Sequence, residues 1–185
     1  MKYLSIVLLV LAKLVSSLRP LKVDMCEHPP LMKDFDYRKM GGRWYEFARL
    51  PNPFQYLMPQ RCNTQYMTVT DGGLNFNTSM IEESTGFEIN FNGGLFPYPE
   101  APYHMKFTIE MVGLEDWVDI VDAKYDEYVI LYHCKPIGAF RFAFGWILTR
   151  EKELSEEKKE RLLKKVKSYN LGPRLEYESQ KKCYD

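Results

Sequence analysis

Four cysteines and three histidines have the widest chemical reach in this chain of 185 residues. Cys26, Cys62, Cys134 and Cys183 are scattered, with no Cys-x-x-Cys step and no Cys/His cluster. That spacing does not build a metal site. In an exported chain it reads as two disulfides, with three pairings open. Of the histidines, His28 falls in a proline-containing leader, His104 begins a strand, and His133 neighbours Cys134 at a strand end. Neither a Gly-x-Ser-x-Gly elbow nor a His-Glu-x-x-His helix occurs, and no acid–base pair has a spacing that argues catalysis. No catalytic residue is therefore assigned.

Export is argued from the N-terminus. Lys2 precedes the apolar stretch 4–14, which is too short for a membrane span, and Val15-Ser16-Ser17 offers a cleavage site. Residues 1–17 read as a signal peptide and 18–185 as one domain. No second apolar run is long enough to cross a bilayer, so the mature chain reads as secreted, extracellular and not transmembrane. Lys plus Arg and Asp plus Glu both number 25, so there is no basic excess of the kind nucleic-acid binding needs. Aromatic residues reach 15%, a surplus that can line a cavity for a small hydrophobic molecule. A homo-oligomer is compatible with all of this.

These residues need a scaffold, and the pattern predicts one. Strands are expected over 42–50, 63–69, 74–81, 87–91, 103–111, 117–123, 128–134 and 139–150, with turns at Asp71-Gly72-Gly73 and Asn92-Gly93-Gly94. Pro97, Pro99 and Pro102 mark a long loop. Eight short strands at this spacing predict a closed, all-β, antiparallel up-and-down barrel, which also leaves no exposed sheet edge. A helix over 155–169 follows. Ser155 caps it, acids crowd its start and lysines its end, and Leu162, Leu163, Val166 and Tyr169 give it one apolar face for the barrel wall. The loop 51–61 carries Phe54, Tyr56, Leu57 and Met58, unusually apolar for a loop. Asn77-Thr78-Ser79 is an N-glycosylation sequon, which requires Asn77 to point outward; an unused sequon is the alternative.

Three runs in order carry a family resemblance: Gly42-Arg43-Trp44-Tyr45-Glu46, then Tyr125 to Cys134, then Trp146-Ile147-Leu148-Thr149-Arg150. They resemble the three motifs of the lipocalins, and the match covers nearly the whole mature chain. It is most similar to the apolipoprotein D branch, near the insect bilin-binding proteins and the crustacyanins. The resemblance implies an eight-stranded lipocalin barrel with one C-terminal helix packed on its wall. It implies disulfides Cys26–Cys134 and Cys62–Cys183, which leave no spare thiol for the isomerase chemistry known in one branch. It also implies a barrel floor in which Gly42 allows close approach, Trp44 plugs and Arg150 covers. Ala123-Lys124 departs from the Thr-Asp that lipocalins usually place before the second motif.

A lipocalin works as a desolvating cup. Candidate wall residues are Met67, Phe91, Phe107, Trp117, Trp146 and Leu148; Met40 sits near the floor by the match to the family, and Phe54, Tyr56, Leu57 and Met58 form a lid. Each could instead be outer packing. Cargo readings compete. A colourless fatty acid, steroid or retinoid needs mainly apolar wall. The alternative is a pigment, biliverdin or a carotenoid, which the aromatic runs Phe96-Pro97-Tyr98 and Pro53-Phe54-Gln55 at the mouth resemble. Haem would need a histidine, with His104 as the one credible ligand. No cofactor is required. A third class is a secreted interaction or inhibitor protein whose barrel is filled by its own side chains.

Overall fold

The computed structural model describes residues 26–50, 59–138, 140–171 and 175–183, with the backbone alone described at residue 140. The expected signal peptide, residues 1–17, and the expected lid residues Phe54, Tyr56, Leu57 and Met58 lie outside them.

Eight antiparallel strands follow in order: β1 (Gly42–Leu50), β2 (Gln60–Thr70), β3 (Gly73–Glu82), β4 (Glu88–Tyr98), β5 (Ala101–Ile109), β6 (Leu114–Lys124), β7 (Tyr128–Ile137) and β8 (Phe140–Thr149). Each pairs with the next, and β1 pairs with both β8 and β2, which closes the barrel. Alternation decides the faces. On β3, Leu74, Phe76 and Thr78 are buried while Asn75 and Asn77 are exposed. The interior cluster gathers Trp44, Met67, Phe76, Leu95, Met105, Phe107 and Leu148 among others.

Helix α1 (Glu156–Ser168) is capped by the Ser155 hydroxyl, which accepts from the Lys158 amide. Its Leu162 and Val166 pack with Ala48, Val121, Ile130 and Ile147 in a second core outside the barrel. A two-residue strand, β9 (Glu176–Tyr177), was not expected from the sequence; it adds to β1.

The fourth strand differs from the sequence expectation. Asn92-Gly93-Gly94 is no turn: β4 runs through it, pairing Gly93 with both Phe76 and Ile109. Glycine is needed there for room. A Cβ on Gly93 would lie 2.2 Å from the Thr108 carbonyl oxygen and 2.3 Å from the Phe76 ring. The expected long proline loop is likewise a tight turn, with Tyr98 paired to Ala101.

The two ends of the barrel differ. The β2–β3, β4–β5 and β6–β7 turns gather at the end that holds the 3-10 turn Tyr37–Met40. There the Tyr37 hydroxyl donates to the Asp71 carbonyl at 3.0 Å, and the Asp36 amide donates to the Tyr125 hydroxyl at 2.8 Å. The β3–β4, β5–β6 and β7–β8 hairpins are at the opposite end, the mouth.

Disulfides join Cys26 to Cys134 and Cys62 to Cys183. The first ties the leader to β7. The second ties the tail to β2, closing a separation of 121 residues; a loop of that length has a chain-entropy value of about 5 kcal/mol.

Candidate functional site

The floor is built from backbone carbonyls. Gly42 takes φ +97, open to glycine, and a Cβ there would press on the Arg150 guanidinium. That guanidinium lies over the Trp44 ring, its Cζ 3.7 Å from the centroid. Its nitrogens donate to the carbonyl oxygens of Tyr125 and Arg43 at 2.9 Å, Gly41 at 3.0 Å and Lys39 at 3.4 Å. Burial pushes the Arg150 pKa down. Trp44 is 0% exposed, and its indole N–H donates to the carbonyl of Met40 at 2.8 Å. Met40 is therefore part of the floor. In the neighbouring β6–β7 turn, where Ala123-Lys124 departs from the family pattern, Lys124 forms an ion pair with Glu127 across the turn.

Above the floor, rings line one wall. Phe107 stacks on Phe76 at 5.8 Å and meets Trp146 at 5.5 Å, and Phe144 lies 5.2 Å from Trp146 and 5.6 Å from Phe142. Met67 and Leu148 are buried in the same interior cluster, with Phe91 packed against it. The structure thus brings Met40, Met67, Phe91, Phe107, Trp146 and Leu148 together inside the barrel.

Trp117 is not with them. Its β6 neighbours Val118 and Ile120 belong to the interior cluster, and the bulge that shifts the register comes only after Ile120, so Trp117 lies on the outer face. There it is 37% exposed and stacks on His104 at 4.4 Å. His104 is outside too, its Nδ1 2.6 Å from Asp119, so the haem expectation loses its ligand. Phe96 and Tyr98 are exposed at the floor end of β4, and do not belong to the mouth. Asn77 is exposed on the outer face, its amide donating to Asn92 at 3.0 Å.

Two polar groups inside the wall escaped the sequence reading. His133 alternates with the interior residues Val129 and Leu131, and faces its cross-strand neighbour Phe144 at 4.8 Å. Asp116 is paired across β5–β6 with Phe107 and alternates with Val118. The alternation Val129-Leu131-His133 was the available signal.

A third polar group fills the place where β1 and β2 part. Their pairing stops at Tyr45 and Thr64, and the tail lies between them: the Cys62 amide donates to Ser179 and the Glu178 amide to Phe47. Arg49 sits between Glu46 at 2.5 Å and Glu178 at 2.7 Å, and the Gln180 amide bridges the carbonyls of Glu46 and Asn63 at 3.0 Å. Desolvation raises the Glu46 pKa to about 7 against the opposing pull of Arg49, and raises that of Glu178 too.

Outside the barrel, a groove of about 290 Å³ runs under α1, lined by Lys124, Glu127, Tyr128, Lys158, Arg161 and Lys165 among others. Its charges are cross-paired, Lys165 to Asp122 at 2.5 Å and Arg161 to Glu127 at 3.4 Å. This makes it a polar seam between helix and wall. Among the described residues no group of side chains could hold a metal ion, and no helix is long and apolar enough to cross a membrane.

A closed barrel with a sealed floor, an aromatic inner wall and one flanking helix has the architecture of a small-molecule-binding β-barrel protein. Residues 41–177 match the model of the lipocalin / cytosolic fatty-acid binding protein family, and the chain belongs to that family. It is similar to apolipoprotein D of Macaca fascicularis, 29% identical over 74% of this chain and 71% of the relative. It is also similar to the bilin-binding protein of Pieris brassicae, 26% identical over 100% of this chain and 94% of the relative. Among solved structures, insecticyanin from the tobacco hornworm Manduca sexta superposes with a TM-score of 0.69 at 21% identity, covering 83% of this chain and 85% of that one. Lobster apocrustacyanin A1 gives 0.68 at 20% identity, covering 86% and 93%.

Proposed function

We propose that this protein is a secreted carrier that holds one small hydrophobic molecule inside its barrel. The observation that carries the reading is the inner wall of Phe76, Phe107, Phe142, Phe144 and Trp146, rising from a floor sealed by Trp44 and Arg150. Apolar cargo leaving water for such a wall gains roughly 25 cal/mol per Å² of apolar area buried. Two disulfides support export to an oxidising compartment. They consume all four cysteines, so no thiol is left to act as a nucleophile, and the carrier reading is preferred to an enzymatic one. A fatty acid, steroid or retinoid-like molecule suits the wall.

A pigment is the second reading. It is favoured by the similarity to a bilin-binding protein along the whole chain and by acceptor groups within the wall, to which the N–H groups of a bilin would donate.

Denaturing extraction of natively purified protein, followed by mass spectrometry and an absorption spectrum, tests both. A co-purified colourless lipid supports the first reading, and a visible band moves the assignment to the second. No co-purified molecule, together with no quenching of Trp44 and Trp146 fluorescence by added lipids, rejects the carrier.

A further inference from the structure

The inner wall contains a polar step that the fold does not use. Four strands present it on adjacent positions: Phe107 on β5 faces Asp116 on β6, and His133 on β7 faces Phe144 on β8. The Nε2 atom of His133 is buried and has no hydrogen-bond partner among the described residues. Asp116 Oδ1 is 3.5 Å from it and accepts from the Trp117 amide at 2.8 Å. The His133 side chain is 12% exposed. An unpaired polar atom in such a place costs stability, yet nothing in the packing of the fold requires it. His133 stands where Phe142, Phe144 and Trp146 show that an aromatic ring fits.

We infer that Asp116 and His133 form the head-group site of the cavity, and that the cargo is an apolar molecule ending in a hydrogen-bond donor, an amine or an alcohol. The inference rests on the carrier reading and narrows it: an alcohol-ended steroid or retinoid fits, and a fatty acid, which ends in a carboxylate, does not. Burial holds the imidazole below its ordinary pKa and outweighs the raising effect of Asp116 and Asp119, so the ring is neutral at physiological pH. With its proton on Nδ1, a neutral ring offers a lone pair at Nε2. That atom and the Asp116 carboxylate are then two acceptors 3.5 Å apart. An ammonium group can donate to both; a hydroxyl can donate to one of them. A carboxylate can donate to neither, and it would meet the charge of Asp116 beside apolar rings, where repulsion is poorly screened. Lys135 follows on the same strand face but is solvent-exposed, so its charge is screened.

The test uses the full disulfide-bonded protein, stripped of lipid and titrated with decylamine, decanol and decanoate while tryptophan fluorescence is followed. The amine and the alcohol are expected to bind about tenfold more tightly than the acid, the discrimination that one charge-assisted hydrogen bond supplies. Asp116→Asn should remove most of the amine's advantage. His133→Phe should weaken the amine and the alcohol and leave decanoate unchanged or tighter. Equal or tighter binding of decanoate by the unmodified protein overturns the inference, as does unchanged amine binding in both variants. If a variant does not fold, the ranking of the three ligands by the unmodified protein decides alone. Failure of all three, and of methyl decanoate, to bind rejects the carrier reading itself, a different outcome from binding without discrimination.

Discussion

The floor and the mouth side of this barrel treat polar atoms in opposite ways. At the floor one guanidinium meets four carbonyl oxygens and an indole face. Nearer the mouth, His133 Nε2 is buried without a hydrogen bond among the described residues, and Phe87, Met111, Val112 and Ile137 stand exposed on the rim. A satisfied polar group adds stability and offers a ligand nothing. An unsatisfied one costs stability and keeps its hydrogen-bonding capacity unspent. The floor is thus closure, and selection belongs to the upper wall.

The largest effect should come from breaking closure. Trp44→Ala is expected to cost about 4 kcal/mol, the range seen for emptying a large aromatic site in a core. Urea unfolding of the variant measures it. If the comparison is right, whatever protein still folds keeps its ranking of amine, alcohol and acid ligands.

Next comes the split between β1 and β2, where Arg49 is buried in ion pairs with both Glu46 and Glu178, so that one cation serves two buried carboxylates. The folded pKa of Glu46 is about 7 against an ordinary 4.5. Between those values the folded state holds a proton that the unfolded chain releases. The contribution of this group is therefore full below about pH 4.5 and is lost as pH rises toward 7. Denaturation at pH 8 should show a loss of up to about 3 kcal/mol relative to pH 4.5 from this source. Glu46→Gln should flatten that slope. An unchanged slope would place the pH dependence elsewhere.

Arg150→Met should cost about 2 kcal/mol, from a partly buried cation–π contact and charged hydrogen bonds to carbonyls. Decanol affinity should stay within about twofold, since the residue lies at the floor, below the aromatic wall. A large loss of affinity with little loss of stability would reverse the division between floor and wall.

Much of this was legible in the sequence, and the reason is locality. Strand periodicity, the Ser155 cap and the acid-to-lysine gradient of α1 are short-range signals, and the three motif runs with their cysteines carried the barrel. What escaped depends on contacts between distant residues. Gly93 reads as a turn until the Phe76 ring and the Thr108 carbonyl are placed beside it. Trp117 reads as cavity wall until β6 is phased by Val118 and Ile120. Glu46 is one residue of a motif until Glu178, in a tail with little periodicity of its own, arrives 2.7 Å from Arg49. His133 reads as a strand-end neighbour of Cys134 until β7 is phased by Val129 and Leu131.

The smallest expected effect is the sharpest test of the division. His133→Phe should raise stability by about 1 kcal/mol, the low end of what an unpaired buried polar atom costs. The substitution removes an unpaired buried nitrogen, which is favourable. It puts a ring beside Phe144, 4.8 Å from the present imidazole, and aromatic pairs contribute about 0.5–1.5 kcal/mol. Against this stands the loss of the weak attraction to Asp116, whose carboxylate keeps its bond from the Trp117 amide. A residue retained for packing would lose stability on replacement and leave ligand ranking alone. One retained for binding should do the reverse. Thermal unfolding of the His133→Phe variant beside its decylamine titration separates the two, and a clear destabilisation with unaltered binding would return His133 to the scaffold.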